Sequence, residues 1–212
     1  AIQDTGAATG FGRKSDASTG ISGKEIRTGT DGLTISFVPN NPPPVVHVDG
    51  TTEDLTVLLQ LNNKGTFPSS KDVKEQLDLQ VFLSGYDKNL ITDLAQETDR
   101  SYALEGRSSI NPAGGTDIIA FPKGKILGNQ LQADKYDVTL LATVCYKYAT
   151  EAAPQICIDP EPYSTINQKK VCQVKGLTLG SQGAPVAVTK LEQETLSKKT
   201  RFRITVKNVG GG

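Results

Sequence analysis

The chain has 212 residues, with 23 Lys and Arg against 23 Asp and Glu and a single His. Its net charge of zero excludes nucleic-acid binding by bulk electrostatics, which needs a basic excess to displace phosphate counterions. A hydrophobic share of 36% sustains a packed core in one or two domains, and no apolar run approaches the ~18 residues of a membrane helix.

In chain order, residues 1–32 are rich in Gly, Ser, Thr and Ala. They read as an arm or linker in which Ile2, Phe11, Ile21 and Ile26 follow no period and could anchor on a neighbouring subunit. The chain holds no Met, so Ala1 is not an initiator; a removed leader or a longer parent chain is expected, and a membrane anchor outside the given sequence is one possibility, which rests on the resemblance given below. At Leu33 the period becomes two. Leu33, Ile35 and Phe37 alternate with polar residues and predict a strand. The Pro39–Pro44 stretch breaks it, because proline removes ladder donors. Val45-Val46-His47-Val48 predicts a short strand. Leu55, Val57, Leu59 and Leu61 predict one inward face, and Leu77, Leu79, Val81 and Leu83 another. Asp87 to Ala95 has room for one helical turn. Ile118 to Phe121 is a shorter run before Pro122. Val138, Leu140, Ala142 and Val144 predict a long strand continuing through Tyr146 and Tyr148; Ile156 and Ile158 follow after a break. Short alternating strands with Gly and Pro turns predict an all-β chain built as an antiparallel sandwich or barrel.

The stretch Val57–Gly65 aligns with Phe202–Gly210. Both are alternating strands closed by Asn-x-Gly, where Asn and Gly supply the turn. A Pro-Val segment precedes each, Pro44-Val45 and Pro185-Val186. The expected organisation is an arm over 1–32, a sandwich over 33–160, a connector with Cys172 over 161–182, and the start of a second module over 183–212. Two strands do not bury a core alone, so that second module requires completion from elsewhere.

The strand Ile204-Thr205-Val206-Lys207-Asn208-Val209-Gly210 resembles the second strand of CARDB-type Ig-like modules of cell-surface proteins. The likeness covers about 30 residues at the C-terminus and, more loosely, residues 33–65. Cys157–Ser164 and Gln182–Lys190 are similar to stretches in uncharacterised secreted β-proteins of small-genome archaea. The resemblance implies an Ig-like antiparallel β-sandwich followed by the first strands of a second, incomplete one, set at the cell surface. The Cys…Trp…Cys signature of antibody domains is absent, since the chain has no Trp.

Cys145, Cys157 and Cys172 fit no zinc spacing. A hairpin centred on residue 151 would bring Cys145 opposite Cys157; Cys157 with Cys172 is the main competitor, and free thiols are third. Either bridge implies an oxidising, extracellular setting and contributes about 2–3 kcal/mol.

For chemistry the sequence offers little. His47 reads as a strand histidine without a nucleophile, and no G-x-S-x-G accompanies it. Gly10–Lys14 lacks phosphate-loop spacing. Asp87-Lys88-Asn89 lacks the Gly and Glu of a calcium loop. Asp49, Glu53 and Asp54 form only a surface acidic group. Tyr146, Tyr148 and Tyr163 suit a sheet edge or domain seam better than a sugar-stacking face. No catalytic residue, metal or cofactor is expected. The expected role is a non-enzymatic extracellular structural protein, a subunit of a filament, coat or anchored ectodomain, with copies of itself or other surface proteins as partners. The alternative is an adhesion or ligand-binding module using loops 62–76, 84–101 and 105–116 to hold a glycan or protein.

Overall fold

The computed structural model describes residues 26–68, 77–94, 97–102 (backbone only), 104–159, 161, 163–164, 170–196 and 199–211. The expected arm lies outside the described residues as far as residue 25. The described chain is all-β. Its strands are β1 (Leu33–Phe37), β2 (Thr52–Asn63), β3 (Leu77–Ser84), β4 (Ile91–Thr92), β5 (Glu97–Tyr102), β6 (Thr116–Leu127), β7 (Leu141–Tyr146), β8 (Leu177–Thr178), β9 (Val186–Leu196) and β10 (Lys199–Asn208). They form three sheets with orders β1-β2-β6-β4, β5-β3-β7 and β10-β9-β8. Every pairing is antiparallel.

The first two sheets share one core. Leu55, Val57, Leu59 and Leu61 of β2 are buried together with Leu77, Leu79, Val81 and Leu83 of β3. These are the two inward faces read from the period of two, which places every second side chain on one side of a sheet. Leu33 of β1 and Ile119 and Phe121 of β6, with Leu90, Ile91, Leu94 and Leu104, complete the cluster. Each such side chain contributes about 1.5–3 kcal/mol on burial, so this cluster dominates the stability of residues 33–148.

Five expectations are corrected. The long strand expected from Val138 through Tyr148 is only Leu141–Tyr146, with Val138, Leu140 and Tyr148 outside the ladder. Val45–Val48 forms no ladder: it follows the prolines as unpaired chain, and Val45 and His47 are exposed. Ile156 and Ile158 likewise lie in no strand. The run ending at Phe121 continues to Leu127. Leu55 pairs with Gly124 and Val57 with Phe121, so Pro122 and Lys123 stand opposite Thr56 alone. That bulge is where a proline fits inside a strand, and a Cβ at Gly124 would lie 2.7 Å from the Leu55 carbonyl oxygen. Finally, the segment 84–101 holds β4 and β5 and is no simple loop. The helical turn expected after Asp87 is present as one turn: Leu90 and Ile91 N–H donate to the Asp87 carbonyl at 3.1 and 2.8 Å.

Candidate assembly surface

The two hairpins β1–β2 and β9–β10 end in the same turn. Asn63 Oδ1 accepts from Gly65 N–H, and Asn208 Oδ1 accepts from Gly210 N–H, both at 3.1 Å. One residue after each Asn, Lys64 N–H donates to the Gly32 carbonyl and Val209 N–H to the Pro185 carbonyl, at 2.9 and 2.8 Å. Leu33 pairs with Asn63 and Val186 with Asn208. The counterpart of Pro185-Val186 is therefore Gly32-Leu33, and the alignment on Pro44-Val45 is corrected. The Pro-rich segment lies between β1 and β2, whereas β9 ends at Leu196 and β10 begins at Lys199.

The hairpins differ in what covers them. Val57, Leu59 and Leu61 are each 0% exposed, whereas Phe202, Ile204 and Val206, which align with them, are 38%, 57% and 58% exposed. Asn63 is buried and its Nδ2 donates to the Phe67 and Leu104 carbonyls at 2.8 and 3.0 Å; Asn208 is exposed. In the core, β2 has a ladder neighbour on each side, β1 and β6, and faces β3 across the sandwich. β10 has β9 alone. Its inward row pairs Phe202 with Gln193, Ile204 with Leu191 and Val206 with Val188. Its opposite row carries Lys199, Arg201, Arg203 and Lys207. Two of these cations meet β9 carboxylates: Arg201 lies 3.2 Å from Glu194, and Arg203 3.6 Å from Glu192. Glu192 also takes Lys190 at 2.6 Å; that ammonium, and then Arg203, hold its carboxyl below the usual range. β10 is thus a long edge strand, cationic outside and apolar inside, with its apolar side wet.

A polar clasp fixes this third sheet to the core. The Gly183 carbonyl accepts from Thr66 N–H at 3.0 Å and from the Tyr148 hydroxyl at 2.9 Å. The Tyr148 hydroxyl in turn accepts from Thr66 and Phe67 N–H at 2.9 and 3.3 Å. Burial raises its pKa, against the lowering effect of those N–H groups. A Cβ at Gly65 would overlap the same hydroxyl, so glycine is required there by close approach. Gly183 N–H donates to the Gly29 carbonyl at 3.1 Å, Gly29 N–H to Ser181 Oγ at 2.9 Å, and Thr150 Oγ1 to the Val186 carbonyl at 2.6 Å. Arg27 pairs with Glu151 at 2.9 Å. Tyr148 packs edge-on to Phe67 and Tyr146, with ring centres 5.5 and 5.9 Å apart. Tyr146 and Tyr148 thus sit at the seam between sheets, and Tyr163, exposed elsewhere, is not brought to them.

The cysteines take the second of the two pairings. Cys157 and Cys172 are bonded, with Cα atoms 5.9 Å apart, and Cys145 is a free, exposed thiol. The expected Cys145–Cys157 hairpin does not form because the clasp draws the chain after Tyr148 towards β9. There the Cys157 carbonyl accepts from Gln193 Nε2 at 2.8 Å, laying the disulfide strap against the third sheet. Lys170, bonded to Asp159 beneath the strap, holds the Asp159 carboxyl below its usual range.

The remaining candidates stay apart. His47 is exposed. Asp87 Oδ1 accepts from Asn89 N–H at 2.8 Å, which closes a turn. Asp49, Glu53 and Asp54 are exposed, and among the described residues no three His, Cys, Asp or Glu side chains come together as a metal site. Gly10–Lys14 lies outside the described residues. No described helix is long and apolar enough to cross a membrane. No family model, curated protein or solved structure matches the chain.

Proposed function

We propose that the chain is a non-enzymatic extracellular structural protein, a subunit of a cell-surface filament, coat or anchored ectodomain that assembles through β-strand contacts. One observation carries the reading. The row Phe202, Ile204, Val206 lies in the same hairpin position as Val57, Leu59 and Leu61, yet 38–58% of each residue faces solvent where its counterpart is fully buried. An open apolar strand edge is a template for strand addition, in which main-chain bonds extend the sheet and alternate side chains fill its inner face. In this reading β9–β10 opens a second Ig-like module, as the resemblance to CARDB-type surface proteins implies. The Cys157–Cys172 bond agrees with an oxidising compartment. The alternative, adhesion through loops, loses one of its three segments to β4 and β5.

The test is the state of the chain in solution. Size-exclusion chromatography with light scattering is expected to show concentration-dependent association of the unaltered chain. Ile204→Lys with Val206→Lys is expected to leave a monomer. A monomer at every concentration for both chains overturns the reading.

A further inference from the structure

We propose that β10 of one copy adds antiparallel to the open edge of β7 in a second copy, head to tail. The proposal rests on the assembly reading above and names its contact.

Among the described residues both strands end their sheets, β7 in β5-β3-β7 and β10 in β10-β9-β8. The open side of β7 is defined by its ladder. Lys147 N–H donates to the Asp78 carbonyl at 3.2 Å, and Cys145, Thr143 and Leu141 stand opposite Gln80, Phe82 and Ser84. Backbone groups alternate sides along an antiparallel strand, so Ala142, Val144 and Tyr146 direct theirs away from β3. The side chains of these same three residues point inward and are only partly buried, while Leu79, Val81 and Leu83 on the neighbouring strand are buried. β1 meets this edge at Tyr146, whose hydroxyl accepts from Leu33 N–H at 3.1 Å, and the sandwich is under-covered along the rest of it, at Ala142 and Val144. A strand with large apolar residues at every second position would both satisfy the free backbone groups and roof the gap. β10 has that pattern in Phe202, Ile204 and Val206.

The other edges fit less well. β4 and β8 are two residues long. The sequence of β5, Glu97-Thr98-Asp99-Arg100-Ser101-Tyr102, has no apolar row. Leu33 N–H on β1 already donates to the Tyr146 hydroxyl at 3.1 Å. Pairing β10 with another β10 would set the Lys199, Arg201, Arg203 and Lys207 rows against each other, and like charges across a ladder are destabilising. The outer row of β7 is Leu141, Thr143, Cys145 and Lys147, whose single cation lies 3.3 Å from Asp78. Joining two different edges is heterologous, and such contacts propagate into filaments when the rotation does not close.

Cys145 reports the contact directly. It is exposed, free and central on the outer row of β7. Against an added strand it occupies a non-hydrogen-bonded site, where facing Cα atoms lie about 4.5 Å apart, within disulfide reach. Arg201→Cys, Arg203→Cys and Thr205→Cys place a thiol on the outer row of β10; Ile204→Cys places one on the inner row. Each chain is oxidised with copper phenanthroline, with and without Cys145→Ser, and linked peptides are mapped by mass spectrometry. At least one outer variant is expected to give multimers joined through Cys145, about 10-fold or more above Ile204→Cys, because a positioned thiol meets its partner at high effective concentration. Cys145→Ser abolishes them. Association seen by light scattering without Cys145-linked peptides, or equal linking from both rows, overturns this contact and leaves assembly standing. A chain that is monomeric throughout overturns both. Cys145, Arg201, Arg203 and Ile204 are exposed and Thr205 is half-buried, and melting curves that match the unaltered chain establish that each variant is folded.

Discussion

Asn63 and Asn208 occupy the same turn in two settings, and replacing each by Ala separates the turn from its surroundings. Asn63→Ala removes the acceptor for Gly65 N–H and the donors to the Phe67 and Leu104 carbonyls, bonds of 3.1, 2.8 and 3.0 Å. The residue is 0% exposed, so water does not replace these partners without opening the core. Each buried polar group left unpaired costs about 1–3 kcal/mol, and three that share one site add less than fully, giving about 3–5 kcal/mol. For a chain of this size that lowers the melting temperature by about 8–15 °C. Asn208→Ala removes one exposed bond, to Gly210 N–H, and is expected to cost under about 1 kcal/mol. Thermal and urea melts followed by far-ultraviolet circular dichroism measure both. Equal losses for the two variants, or less than about 1 kcal/mol for Asn63→Ala, would refute the reasoning that burial rather than the turn sets the value of this residue.

Three further outcomes follow from the packing. Leu59→Ala, in the core, is expected to cost about 2–5 kcal/mol, while Ile204→Ala costs under about 1 kcal/mol in dilute monomer; comparable losses would mean that β10 is covered within one chain. Reducing Cys157–Cys172 removes a constraint on a loop with a separation of 15 residues, worth about 3 kcal/mol. Amide exchange should then quicken in β9 and stay unchanged in β3, and quickening of both would show that the strap supports the core as well. Burial raises the Tyr148 pKa, so the fold favours the neutral phenol. Its contribution is whole below the unfolded value of about 10 and is lost as pH rises through the folded value. Tyr148→Phe should therefore flatten the alkaline fall in melting temperature, and an unaltered fall counts against the clasp.

The core was legible because burial leaves a period. β2 and β3 alternate cleanly, and each apolar residue named from that alternation is buried. β5 leaves no signal in the sequence because Glu97–Tyr102 is polar and bears no alternation; only its ladder with β3 makes it a strand. Val45–Val48 misled in the opposite direction, since β-branched residues favour extended chain but do not supply a neighbour to pair with. The repeat is visible in Asn-x-Gly, but its upstream partner is not, because Pro-Val is a composition cue whereas Gly32 and Pro185 are matched only by the carbonyl each offers. The disulfide depended on the path of the chain after Tyr148. That path is set by the Thr66, Tyr148 and Gly183 clasp, whose members are separated by up to 117 residues and leave no local pattern.

Amide hydrogen exchange at increasing protein concentration tests the assembly claim most directly, because added ladder bonds protect the strands that make them. Protection should rise together in Leu141–Tyr146 and Lys199–Asn208 as the chain associates, with Leu77–Ser84 unchanged. Association that leaves both edges as open as in dilute monomer would contradict it.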